Sequence, residues 1–174
     1  MEELKLDLGC GKNKQVGHIG VDIIPFEGVD VVCDLGKDKW PWEDGSVDKV
    51  YCSHFIEHLD AKERVHFVNE LYRVLKMKAQ AVVIVPHWAS CRAYGDLTHK
   101  WPPVSEMWFY YLSKDWRKVN APHNDENMYV CDFEVVWGYV LSQELAVRNE
   151  EYKLYAQKNY KEVITDIVAT FVKK

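Results

Sequence analysis

The stretch Leu4-Lys5-Leu6-Asp7-Leu8-Gly9-Cys10-Gly11-Lys12-Asn13 decides the fold. Residues 4–8 form a compact apolar run of strand length, and the run ends in G-x-G, the composition of a chain that turns sharply through positive φ. A lone G-x-G is weak, because any tight strand exit uses it. The residues downstream sharpen it. Residues 19–23 and 29–33 are two further short strands, each closed by an acid, Asp22 and Asp34, and residues 47–52 are a fourth. A helix follows, opening at Asp60. Asp60 and Glu63 have the spacing of a capping box, and Val65, Val68, Leu71, Tyr72 and Leu75 line one face. Residues 80–85 then read as a fully buried strand stopped by Pro86. Short apolar runs alternating with a helical period predict an α/β domain with a mostly parallel sheet.

The spacing after the turn restricts the ligand. Asp22 lies thirteen positions after Gly9, whereas a dinucleotide site places its ribose-binding acid about 20 residues on, after a helix whose N-terminus holds the pyrophosphate. Residues 12–18 have room for a loop or one turn. A phosphate-bearing cofactor would lose its anion site, but S-adenosylmethionine (SAM) carries no phosphate. Asp22 at the end of the second strand can accept both ribose hydroxyls. Asp34 after the third can accept from the adenine amine, with Leu35 near the ring. Each acid alone is equally a turn cap; the ordered set favours a nucleoside pocket.

The order LDLGCG, GVDI, CDL, WPWEDGSVDKVYCSHFIEHL, LYRVLK resembles the class I SAM-dependent methyltransferases, most of all the small-molecule subgroup with a short first crossover. The resemblance covers residues 4–86 well and the last third in outline. It implies a Rossmann-like methyltransferase sandwich, mostly parallel with an antiparallel last strand and with truncated N-terminal helices. It also implies a cofactor-binding set. Asp7, Gly9, Cys10 and Gly11 belong to the glycine turn beside the methionine portion of SAM. Asp22 takes the ribose, Ile23 and Leu35 flank adenine, Asp34 meets its amine, and Ser53 and His54 lie near the methyl group. The third glycine of the extended motif is replaced by Asn13.

A competing motif overlaps this one. His54-Phe55-Ile56-Glu57-His58 matches the inverted zinc-hydrolase pattern, in which two imidazoles one helical turn apart share a metal. It follows a parallel strand directly, methyltransferases carry a similar Glu-His-Leu here, and no third ligand stands at a telling spacing. No metal is therefore expected.

For methyl transfer, the bases available at the active edge are His54, His87, Asp96 and His99, which form the candidate catalytic set. The tetrapeptide of DNA amino-methylating enzymes is replaced by Ser53-His54-Phe55-Ile56, and the Pro-Cys of cytosine carbon-methylating enzymes by Pro86-His87. The net charge of −5 opposes a broad nucleic-acid footprint. A small-molecule acceptor leads, methylated on oxygen or nitrogen; a non-catalytic SAM-binding partner subunit is the alternative.

The remaining features are consistent with one soluble domain over residues 1–174. About half the residues are apolar, five cysteines show no close pairing, and neither a signal peptide nor a membrane-length apolar run is visible, which predicts a reduced, cytoplasmic protein. Residues 86–128 break the pattern. They hold four of the six prolines and the cluster Trp101, Trp108, Phe109, Tyr110, Tyr111 and Trp116. One short helix near residues 105–112 is expected there, in a long loop that mixes substrate lid with core packing. Residues 129–141 and 164–172 read as strands and 148–159 as a polar helix. A homodimer that completes the pocket is permitted.

Overall fold

The computed structural model describes residues 3–124 and 128–174; residues 1–2 and 125–127, the latter near the end of the aromatic-rich stretch, lie outside the described residues. The elements run β1 (Lys5–Leu8), β2 (Ile19–Asp22), β3 (Val31–Val32), β4 (Val47–Ser53), α1 (Ala61–Val74), β5 (Leu75–Pro86), α2 (Glu106–Tyr110), α3 (Lys114–Asn120), β6 (Phe133–Leu141), α4 (Gln143–Ala146), α5 (Glu150–Asn159) and β7 (Ile164–Lys173). One seven-stranded sheet has the order β3-β2-β1-β4-β5-β7-β6. β1 to β5 pair in parallel, and β7 runs antiparallel to both β5 and β6. The expected α/β sheet with an antiparallel last strand is the one found.

Register explains the core. Leu6 pairs with Val50 and Ile19, Val50 with Ala81, and Ala81 with Phe171, so one sheet face carries an apolar row across five strands. Leu6, Leu8, Cys52, Val83, Ile167 and Phe171 on that face are completely buried. Burial of each large side chain contributes about 1.5–3 kcal/mol. α1 seals the row with Phe67, Val68, Leu71 and Val74. Its start is the predicted capping box. The Asp60 carboxylate accepts from the amides of Lys62 and Glu63, and Glu63 accepts from the Asp60 amide.

The structure departs from the sequence reading where long-range pairing decides. β3 shrinks to two residues at the sheet edge, where Val32 is largely exposed. β5 begins at Leu75 rather than at residue 80, because Leu75 is already extended after α1 and pairs with Val47 across a register shift. β6 starts at Phe133, not at 129. The preceding residues lie outside the sheet and are held to α1 instead, Val130 and Cys131 donating their amides to Asn69. The short helix near 105–112 is present as α2, and α3, which the sequence did not signal, follows behind a Ser113 cap. The aromatics of this segment differ in burial: Phe109 is buried against Phe171 (ring centroids 5.8 Å apart), whereas Trp101 is 80% exposed. Arg64 ties the segment down, donating to the carbonyls of Ile56, Lys100 and Pro102. Among the described residues no helix is long and apolar enough to cross a membrane.

Candidate active site

The carboxyl ends of β1, β2, β4 and β5 meet at one edge, where an open α/β sheet places its ligands. The glycine turn lies at the exit of β1. Gly9 and Gly11 have φ of 69° and 51°, and the amides of Gly9 and Cys10 both donate to the Val21 carbonyl, at 2.8 and 3.1 Å. Gly9 has no room for a side chain: a Cβ there would lie 2.3 Å from the ring of Phe55. Beside Gly11 the space is open. Asp7 is buried and accepts from the Gln15 amide at 2.7 Å, which anchors the short connection to β2, and burial raises its carboxyl above the ordinary value.

Of the other residues expected at the cofactor, Asp22 contacts this turn directly. Asp22 accepts from the Gly11 amide on one oxygen and from the Ile24 amide on the other, both at 3.0 Å, with further lone pairs available. Asp34 caps its own turn through the Gly36 amide and pairs with Lys37. Ile23 is half-exposed at the end of β2. Leu35 differs from the expectation of a side chain beside adenine. It is 2% exposed and packs into the core, and its carbonyl accepts from the buried Trp40 Nε1. The open space at Gly11 and the carboxylates at two successive strand ends fit an adenosyl ligand without a phosphate.

A polar cavity of about 510 Å³ opens on the β4 and β5 side, lined by His54, Glu57, His58, Arg92, Asp96 and His99 among others. His54 turns the chain out of β4 at φ 54°, its amide held by the Ile84 carbonyl. Its Nδ1 lies 3.2 Å from Glu57 Oε1 and its Nε2 3.9 Å from Asp166 Oδ1. The Glu57 hydrogen bond, against the opposing effect of burial, raises the His54 pKa. Asp96 is engaged by the backbone amide and hydroxyl of Thr98, and His99 Nδ1–H donates to the Ala93 carbonyl.

His87 is not part of this group. It is 4% exposed, accepts from the Ala89 amide and donates from Nε2 to Glu106 at 3.1 Å. With both nitrogens occupied it fastens α2 to the end of β5. Burial favours a neutral Glu106, but hydrogen bonds from His87 and Tyr139, with its own backbone amide, take the carboxyl down to about 2. Glu106 also accepts from Trp88 Nε1 and borders a second, apolar cleft of about 640 Å³ walled by Tyr94, Trp101, Pro102 and Tyr110.

The zinc-hydrolase geometry is not formed. Residues 56–58 make a single 3-10 turn after the left-handed His54, so His54 and His58 take different partners: His54 meets Glu57, and His58 meets Thr98. Sequence reasoning missed Asp166, Arg92 and Glu106. Asp166 left a signal, an acid inside the apolar run of β7; Arg92, which pairs with it at 3.0 Å, left none.

A methyltransferase-domain family matches residues 19–83. A SAM-dependent methyltransferase from Archaeoglobus fulgidus superposes with a TM-score of 0.68 at 21% identity, over 98% of this chain and 86% of that one. One from Methanosarcina mazei gives 0.60 at 16% identity, over 99% and 93%. Phosphoethanolamine N-methyltransferase 2 of Haemonchus contortus, crystallised with S-adenosyl-L-methionine, gives 0.53 at 16% identity, over 99% of this chain and 49% of that one. At these identities the structural likeness is one of fold. No curated protein sequence is significantly similar to the chain.

Proposed function

We propose that this chain, which shares the fold of SAM-dependent methyltransferases and matches a methyltransferase-domain family over residues 19–83, is a class I SAM-dependent methyltransferase that methylates an oxygen or nitrogen of a small polar acceptor held between His54 and His99. The observation that carries this reading is the cavity at the exits of β4 and β5, where His54 Nδ1 lies 3.2 Å from the buried Glu57 carboxylate and the next residue, Phe55, packs on Gly9 of the glycine turn.

SAM, when bound, supplies a methyl group on an already activated sulfonium leaving group. The protein's part is then to hold and align the partners and to manage one proton. Asp22 binds the ribose hydroxyls, Gly11 leaves room for the ligand backbone, and Asp34 with Ile23 borders the base. His54 takes the acceptor proton, with Glu57 orienting the ring and Asp166 facing the imidazolium that results. Asp96 and His99 line the same cavity. His87, sealed behind Glu106, is a positioning residue. The cavity's size and the negative net charge favour a small molecule over nucleic acid. Five unpaired thiols support a reducing, cytoplasmic setting, and one contiguous core supports a single domain.

Calorimetric titration with SAM and S-adenosylhomocysteine, beside Asp22→Ala, tests the cofactor site. Loss of the charge-assisted ribose contacts, worth about 3–5 kcal/mol together, should weaken binding by roughly 10²–10³-fold or more. Methyl transfer from labelled SAM across small hydroxyl and amine acceptors tests the chemistry. Tight SAM binding with no transfer to any acceptor would instead indicate a non-catalytic SAM-binding subunit.

A further inference from the structure

Counting the hydrogen bonds in the His54 cavity leaves three lone pairs over. Glu57 is 3% exposed. Its Oε1 is taken by His54, but its Oε2 is buried with no partner. A buried carboxylate oxygen left without a donor is costly, and a cation beside it would offset that cost. The only other such atom among the described side chains, Asp166 Oδ1, faces His54 Nε2.

The two neighbouring imidazoles have their tautomers set from behind. Thr98 Oγ1 gives its one proton to the Asp96 carboxylate at 2.8 Å, so His58 Nδ1, 3.0 Å from the same hydroxyl, must be the donor to it. His99 Nδ1 donates to the Ala93 carbonyl. Both rings therefore keep a free lone pair on Nε2. The rings meet edge to face with centroids 4.7 Å apart, and one ligand atom from each of Glu57, His58 and His99 lies within 4.8 Å of the others. Outer hydrogen bonds that fix imidazole tautomers are the usual support of a metal-binding histidine.

We propose that Glu57, His58 and His99 bind one divalent transition-metal ion, Zn²⁺ or a close relative, on the acceptor side of the methyl-transfer site. Two imidazoles and one carboxylate suit zinc-class ions rather than Mg²⁺ or Ca²⁺, and three protein ligands leave a coordination position open. The inverted zinc motif thus contributes two ligands, and the third, without a telling spacing, comes from the 91–100 loop. Resting on the acceptor reading above, the open position takes an acceptor hydroxyl and lowers its pKa. His54 receives that proton. The oxygen lone pair forms the C–O bond as the C–S pair returns to sulfur, giving the methyl ether and S-adenosylhomocysteine, and His54 releases the proton to water.

The test is calorimetric titration of chelator-stripped protein with ZnCl₂, and separately with SAM, for wild type, His58→Ala, His99→Ala, Thr98→Val and the remote His66→Ala. One Zn²⁺ per chain is expected for wild type and His66→Ala, with loss of stoichiometric binding in His58→Ala and His99→Ala. Thr98→Val, which removes only the outer hydrogen bond, should weaken Zn²⁺ by about 10–100-fold and keep the fold intact. SAM affinity should hold in all of them. Absence of Zn²⁺ binding by folded wild type that still binds SAM overturns the metal site alone. Undiminished Zn²⁺ binding in both histidine variants also overturns it. Loss of SAM binding in wild type would instead strike at the methyltransferase reading, since that titration is independent of the metal.

Discussion

Replacing Gly9 and Gly11 by alanine, one at a time, separates two demands that the glycine turn makes. Both residues have positive φ, 69° and 51°, so both substitutions incur the left-handed penalty of about 1–2 kcal/mol. Both also recover some free energy, about 0.4–1 kcal/mol, because alanine restricts the unfolded chain. The difference lies in the surroundings. At Gly9 the new methyl would sit 2.3, 2.4 and 2.6 Å from Cδ2, Cγ and Cβ of Phe55. Because Phe55 Cβ is next to the backbone, the ring cannot simply swing away, and overpacking adds about 1–3 kcal/mol. Gly9→Ala should therefore cost roughly 2–4 kcal/mol, or about 4–16 °C in Tm for a chain of this size. Gly11→Ala should cost about 1 kcal/mol or less. SAM binding should show the reverse sensitivity per unit of stability lost. The Gly11 methyl enters open space in the cleft, while that of Gly9 points at Phe55. Urea unfolding and SAM titration of both variants provide the measurement. A cycle with Phe55→Ala adds a control: removing the ring should cost less in the Gly9→Ala background than in wild type. Equal destabilisation by Gly9→Ala and Gly11→Ala, with no coupling to Phe55, would refute the reasoning.

Two further outcomes follow from the loop that covers the acceptor side. The Glu106 carboxyl titrates near 2 in the folded chain against an ordinary 4.5, so its contribution is full above about pH 4.5 and is lost as pH falls toward 2. Urea unfolding at pH 7 and pH 3 should show Glu106→Gln losing about 2–3 kcal/mol at the higher pH and much less at the lower; an equal deficit at both would contradict the His87–Glu106 pairing. Arg64→Met removes three hydrogen bonds to the carbonyls of Ile56, Lys100 and Pro102, which should cost about 2–4 kcal/mol. Trypsin should then cut after Lys100 faster than in wild type, and an unchanged cleavage rate would show that other contacts hold the segment.

The parts legible from the sequence alone are those governed by near neighbours. G-x-G after a strand, acids closing β2 and β3, and the Asp60–Glu63 box each act over a few residues, so their spacing already states their geometry, and together they indicated an α/β sheet with a nucleoside-type edge. Tertiary structure decided what distant segments share. Asp166 reaches His54 only because β7 runs antiparallel beside β5, pairing Asp166 with Pro86. His99 joins Glu57 and His58 only because Arg64 and the Lys100 amide draw its loop onto the 3-10 turn. His87 and Leu35, both placed at the ligand by their position after a strand, are turned inward by partners that local pattern does not specify. Spacing encodes contacts within a turn or a strand; contacts between segments depend on sheet register and on closure of long loops, and those are fixed only when the whole core packs.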